Sequence, residues 1–236
     1  MISASIVYKN RLLAALPSNV LNAWLPLFKL VELPRGMILY KDGQQLTHIY
    51  FPIDTMISYV QPLEDGTNIE LAVIGNEGMV GVSVVLDSYT ASGCAIVQGA
   101  GTSLKINVLE ILRKLDNEKP ARELFCRYLK AFIVQMAQTA ACSRRHPLEQ
   151  QLCRWLLMAQ DRLPSGDLKM THEVMAMMLG VRRESVTDIA LRLQAANLIR
   201  YARGRITIVD RPGLEKNACG CYDFIANRYE QLFPMR

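Results

Sequence analysis

The chain has 236 residues, 50% hydrophobic and 21% charged, with a formal net charge of +5. That length accommodates two domains, each with its own core, and the composition is that of an ordinary soluble globular protein. Residues 1–143 carry 12 Lys+Arg against 12 Asp+Glu, and residues 144–236 carry 15 against 10, so the whole excess lies in the C-terminal part. A neutral part joined to a basic one points to a polyanionic partner for the second. The N-terminus interrupts its apolar residues with Lys9 and Arg11, so no secretory signal is expected. The long uncharged run Ser88 to Leu104 contains three glycines and many polar residues, so it is not expected to form a membrane-spanning helix. A cytoplasmic location is expected, with the six scattered cysteines reduced and mostly buried.

From Phe28 to Ile106 the sequence reads as short, evenly spaced strands: "MILY", "HIYFPI", "TMISYVQPL", "NIELAVIG", "CAIVQG" and "SLKINV". Asp65-Gly66 marks a hairpin whose two turn positions are both expected at positive φ. This spacing predicts an antiparallel barrel or jelly roll. The period then changes. Leu124, Phe125, Tyr128, Leu129, Phe132, Ile133, Met136 and Ala140 predict one helix over Glu118–Cys142, with Pro120 in its first turn. Such a helix would span roughly 38 Å. Its apolar face is wide enough to cover the chain's own barrel on one side and a partner on the other.

"SRRHPLEQ" reads as a basic linker in which Pro147 disfavours helix before it. Helical patterns follow over Leu148–Gln160, Thr171–Leu179 and Arg182–Ala196. "LIRYARGRITIV" reads as two strands around Arg203-Gly204-Arg205, and one last helical region runs from Gly213 to about Leu232. The expected divisions are therefore 1–117, 118–145 and 146–236.

Thr171 is a good N-cap and Gly180 ends the helix it starts. Two helices joined by a short glycine-containing turn form a helix-turn-helix, whose second helix presents its N-terminal residues to base edges. That explains the polar cluster Arg182, Arg183, Glu184, Ser185 and Asp188 at the head of an otherwise apolar helix. Arginine can donate two bonds to guanine and glutamate can accept from cytosine. The hairpin with Arg203 and Arg205 would be a wing laying cations on phosphates. An ordinary helical hairpin with a charged surface is the plainer alternative.

"HPLEQQLCRWLL", "MTHEVMAMMLGVRRESVTDIALRLQAANLIRYARGRITIVD" and, more loosely, "LPRGMILYKDGQQLTHIYFPIDT" resemble the cyclic-AMP receptor protein/fumarate–nitrate regulator (Crp/Fnr) family of bacterial transcription factors. The resemblance covers nearly the full chain. It implies an α+β architecture: a cyclic-nucleotide-binding-like β-roll (jelly roll), a long dimerisation helix and a winged helix-turn-helix. It implies a homodimer on a palindromic double-stranded operator; RNA polymerase is expected as a further partner, and no cofactor is expected. It assigns base reading to Arg183, Glu184 and Asp188 and a phosphate contact to Ser185. Arg182 departs from the family's common small residue.

The effector is not legible. Any effector pocket would lie near Gly81, Val82, Ser92 and Tyr128. Where cyclic-nucleotide-binding relatives carry a ribose-binding glutamate this chain has Val82, and where they carry a phosphate-binding arginine it has Ser92. No cation lies between Tyr89 and Val97, so cyclic AMP is not expected to bind. Glu77 could substitute for the ribose glutamate only if the alignment slips. Iron–sulfur relatives carry an N-terminal cysteine cluster, whereas the first cysteine here is Cys94. Cys219-Gly220-Cys221 offers two thiols without a nearby histidine, and His48, His146 and His172 do not suggest one site, so no metal site is assigned. No phosphate loop, helix-borne metal-ligand pair or nucleophile with its base supports an enzyme. An effector-binding or scaffold module whose C-terminal half binds protein is the remaining alternative.

Overall fold

The computed structural model describes residues 2–86, 88–163 and 167–233. Three helices, α1 (Ala4–Val7), α2 (Arg11–Ala14) and α3 (Ser18–Trp24), precede the first strand. They have no counterpart among the expected elements, because helices this short do not display a 3.6-residue period. Caps and packing hold them instead. The Asn10 carboxamide oxygen accepts from Leu13 N–H at 3.0 Å, starting α2. Its amide donates to the carbonyls of Pro52 and Gly78, both at 2.9 Å, which ties the N-terminal arm to the sheets.

Seven strands follow: β1 (Lys29–Leu33), β2 (Ile38–Tyr40), β3 (His48–Pro52), β4 (Met56–Pro62), β5 (Asn68–Ile74), β6 (Cys94–Gly99) and β7 (Gly101–Asn107). They form two antiparallel sheets, β1-β7-β3 and β2-β6-β4-β5, the roll expected from strand spacing. The β4–β5 hairpin is not a two-residue turn. Gly66 has φ 80°, but Asp65 is not among the positive-φ residues. Asp65 instead accepts from Thr67 N–H at 2.9 Å and Oγ1 at 2.6 Å, while Leu63 N–H donates to the Thr67 carbonyl at 2.8 Å. Side-chain bonding of this kind supports a longer loop in which only the glycine needs the left-handed region.

Helix α4 (Val108–Asn117), capped by Asn107, leads into the 27-residue α5 (Lys119–Arg145), about 40 Å long and two residues longer than expected. Leu124, Phe125, Tyr128 and Phe132 bury its inner face. Helical spacing alone sets Phe132 on a face available to a partner, but it is 2% exposed, with its ring 5.4 Å from that of Tyr59 and 6.2 Å from that of Tyr128. The chain's own roll takes up most of the wide apolar face. What remains outside is a narrower stripe of Cys126, Lys130, Ile133, Ala137 and Ala140.

His146 is extended before Pro147, and the helix breaks there. Then come α6 (Leu148–Gln160), β8 (Asp167–Lys169), α7 (His172–Leu179), α8 (Arg183–Ala195), β9 (Ile199–Ala202) and β10 (Arg205–Ile208), then α9 (Arg211–Asn217) and α10 (Cys221–Glu230). The last helical region is thus two helices. Asp210 caps α9 by accepting from Gly213 N–H at 3.0 Å, and the chain turns at residues 218–220 before α10.

One apolar core runs through both sides of the break. Two buried polar links cross it. Arg162 at the end of α6 holds Glu77 through Nε and Nη2, at 2.8 and 2.7 Å. Trp155 Nε1 donates to Glu70 Oε1 at 2.6 Å, and Ser58 donates to the other carboxylate oxygen. Burial pushes the Glu70 carboxyl up to about 7, against the lowering effect of those two bonds and of Arg154 and Arg162. The folded chain therefore keeps a proton that the unfolded chain loses near 4.5. Stability should fall as pH rises through that window, by up to about 1.4 kcal/mol per pH unit from this group. Glu70→Gln should flatten that slope in denaturant titrations between pH 4.5 and 7. An unchanged slope would place its source elsewhere.

Candidate nucleic-acid interface

Thr171 Oγ1 accepts from Val174 N–H at 3.3 Å and caps α7. Gly180 closes that helix in the left-handed region at φ 65°, ψ 37°, where a side chain would be strained. Arg182 then stands at the N-cap of α8 without a side-chain capping bond. Val186, Ile189, Ala190 and Leu193 bury one face of α8, at helical spacing. The opposite face carries Arg182, Arg183, Glu184, Ser185 and Asp188, all exposed. Thr187 does not belong to that face. It is half-buried, and its hydroxyl bonds the Arg183 carbonyl at 3.1 Å and lies 2.9 Å from His172 Nδ1. Leu191, 58% exposed, extends the face by one further turn. It is absent from the sequence-derived site because leucine in a helical pattern reads as core. An exposed leucine three residues beyond Asp188 is suited to apolar contact with a thymine methyl.

The wing is built as expected from β9 and β10, with Ala202 opposite Arg205 and a two-residue turn at Arg203 (φ 50°) and Gly204 (φ 72°). Both turn positions are left-handed, the geometry that matches the twist of paired strands. A third strand, β8, lies on the outer side of β10 and sets Lys169 opposite Arg205. Three residues are too few to show an alternating pattern, so sequence does not reveal it.

Thr171, Arg183 and Arg203 come together around one open cleft of about 590 Å³, with His172, Glu173, Tyr201 and Gly204. Arg205 is not part of it and lines a separate cavity with Arg35 and Lys169. Arg182 and Glu184 border a third, of about 770 Å³, between the helix-turn-helix and the β4–β5 loop at Asp65–Ile69. Arg183 Nε lies 3.9 Å from Glu173 Oε2, with the two side chains 65% and 73% exposed, a pair too long and too wet to hold the guanidinium. The far end of α8 is fixed more firmly, by Arg192 on Glu149 at 2.8 Å. His172 stacks on Tyr201 with ring centroids 4.1 Å apart. Burial, and then the charge of Arg183, hold its imidazole below the usual range, so it adds no cation near pH 7.

The four residues expected around an effector lie where aromatic side chains already fill the roll. Tyr128 is buried and donates to the Met79 carbonyl at 3.0 Å. Phe132 and Tyr59 continue from its ring toward Ser92, whose carbonyl accepts from the Tyr59 hydroxyl. Gly81, at φ 96°, has no room for a side chain beside Ile49 Cδ1, and Val82 is half-buried. Among the described residues the buried cations are Arg154 and Arg162, both outside the strands. Glu77, the fallback for a ribose contact, is committed to Arg162. The expectation that Cys219-Gly220-Cys221 lacks a histidine fails. The turn before α10 brings Cys221 Sγ to 3.5 Å from His146 Nδ1, at the end of α5.

Residues 150–217 match the family model for the Crp-like helix-turn-helix domain. The fold is similar to FixK2 from Bradyrhizobium japonicum (TM-score 0.70, 12% identity, 81% of this chain and 98% of that one). It is similar to a CRP-family transcriptional regulator from Thermus thermophilus (0.65, 21%, 80% and 96%). A CRP/FNR-family transcriptional regulator from the same organism also aligns (0.59, 18%, 80% and 98%). No curated protein matches the sequence. Among the described residues no helix is long and apolar enough to cross a membrane.

Proposed function

We propose that this chain, a transcription regulator of the Crp/Fnr type with a Crp-like helix-turn-helix carried on that family's fold, reads a palindromic operator as a homodimer. The observation that carries this reading is the exposed head of α8, where Arg183, Glu184, Ser185 and Asp188 stand clear of the core beside the Arg203 wing tip. Arg183 and Glu184 supply a donor and an acceptor for base edges. Ser185 and Arg203 supply phosphate contacts that set register. Asp188 completes the polar face, and Thr171 holds the start of α7 against the wing. The outer stripe of α5 supplies the dimer contact, with Cys126, Lys130, Ile133, Ala137 and Ala140 spaced by four and three residues as in a two-helix seam.

The test is selection of bound sequences from a random DNA pool, repeated at two salt concentrations. The expected result is an inverted repeat with half-sites about one helical turn apart, and affinity falling steeply with salt. Recovery of no sequence preference, with salt-independent binding, would overturn the reading and favour a protein partner for the C-terminal half.

The controlling signal in this reading is something other than cyclic AMP. A buried cyclic phosphate needs a paired cation, and the roll interior offers tyrosine and phenylalanine rings there instead. Calorimetry with cyclic AMP and cyclic GMP is expected to give no saturable heat at micromolar concentration. Saturable binding lost on filling the roll would sink this part of the proposal.

A further inference from the structure

Four metal-binding side chains meet where α5 ends and α10 begins: Cys142, His146, Cys219 and Cys221. Their ligand atoms all lie within 4.8 Å of one another. The Cys142 and Cys219 sulfurs are 3.5 Å apart, as are Cys221 Sγ and His146 Nδ1. Zinc bonded to sulfur at about 2.3 Å in a tetrahedron sets its ligands about 3.8 Å from one another. A single ion therefore fits with side-chain adjustment alone. Cys142 and His146 are four apart at the end of a helix, a helix-borne ligand pair that goes unrecognised when the sequence is read alone. Cys219 and Cys221 straddle a glycine.

Packing alone does not account for the polar groups around these sulfurs. Gln138 Nε2 donates to Cys221 Sγ at 3.0 Å. Gln138 is thus placed to bond the sulfur of Cys221 from outside the ligand set. The His146 backbone is fixed as well. Its N–H donates to the Cys142 carbonyl at 3.0 Å, and its carbonyl accepts from Gln151 Nε2 at 2.8 Å.

A second observation is independent of the ligand set. Arg154 is 4% exposed, its Nε has no hydrogen-bond partner, and its Nη1 rests on the Met158 thioether at 3.3 Å. Burial pushes the Cys142 thiol up to about 12, and the charge of Arg154 opposes that rise. A buried guanidinium without a full set of acceptors is costly. One divalent ion with three thiolates and a neutral imidazole carries a net charge of −1, a counter-charge for Arg154 beyond that of Glu70.

We propose that Cys142, Cys219, Cys221 and His146 Nδ1 bind one zinc ion tetrahedrally, and that this ion ties the end of the long helix to the C-terminal helix. Binding releases the thiol protons, and the protein–metal bonds contribute to folding. The ion would sit beside the break at Pro147, the connection between α5 and the helix-turn-helix, and so hold that connection in one geometry.

The full chain, purified under reducing conditions without a histidine tag, should contain one zinc per chain by elemental mass spectrometry. After removal of zinc, cobalt(II) should give the intense visible bands of a tetrahedral site together with thiolate-to-cobalt charge transfer. Cys221→Ser and His146→Ala should lose most of the bound metal, and Cys94→Ser, in β6, should keep it. The spectrum of the unaltered chain tests the site without relying on variants that fail to fold. Zinc far below one per chain with a weak octahedral cobalt spectrum would overturn the proposal. So would stoichiometric iron with sulfide, or a Cys221→Ser chain that is folded by circular dichroism and retains full metal.

Discussion

Arg183→Ala should change which DNA sequence is preferred, and not only how tightly DNA is held. The side chain projects from the first turn of α8 and its nearest carboxylate, Glu173, is 3.9 Å away in solvent, so little is lost when it turns to a base. A bidentate arginine–guanine contact discriminates by about 1–3 kcal/mol. In a twofold dimer that loss occurs in both half-sites. Specific binding should therefore fall roughly fivefold to 150-fold per half-site, with relaxed preference at one symmetric base pair. Arg203→Ala is the contrasting change. Arg203 shares the cleft with Arg183, whereas Arg205, offered equally by the sequence, lines the cavity beside Arg35. A phosphate contact carries no base information, so Arg203→Ala should weaken all sequences alike and reduce the salt slope by about one for each phosphate no longer engaged. Paired binding-site selections decide between the two behaviours. If Arg183→Ala keeps the original preference at every position, Arg183 does not read a base.

The helix-turn-helix and the wing were legible because their signals are local. Thr171 caps, Gly180 stops, and Val186, Ile189, Ala190 and Leu193 repeat at helical spacing, so α7, α8 and the exposed polar cluster follow from neighbours in the chain. The β9–β10 wing was legible for the same reason, from Arg203-Gly204. What sequence could not supply are facts about contacts between distant residues. Helical period marks Phe132 and Ile133 alike as apolar, and only the roll decides that the first is buried and the second half out in solvent. The four-ligand cluster depends on α10 folding back on α5, which sets residues 142 and 146 beside residues 219 and 221. No spacing rule joins pairs that lie 75 and 77 residues apart. Glu70 and Arg162 are similar cases: both are buried only through distant partners, Glu70 against Trp155 and Arg162 against Glu77.

The distinction between Phe132 and Ile133 fixes how the proposed dimer should be tested. Phe132→Asp would put a carboxylate among Tyr59, Tyr128 and the sheet, adding an unpaired buried charge to the roughly 3–5 kcal/mol typical of losing a core aromatic. It would damage the fold before it reported on any partner. Ile133 is 49% exposed, so Ile133→Asp should leave the isolated chain folded, with little change in circular dichroism. Its effect should appear on association. The small exposed Ala137 and Ala140 allow two copies of α5 to approach closely, and a twofold seam sets the two introduced carboxylates against each other where water is excluded. Sedimentation should then show monomers at concentrations where the unaltered chain is dimeric. Operator affinity should fall by about two orders of magnitude or more, because each half-site is bound without its partner. Ile133→Leu should keep the dimer. If Ile133→Asp sediments as the original dimer and binds the operator undiminished, the copies associate through a surface other than the outer stripe of α5.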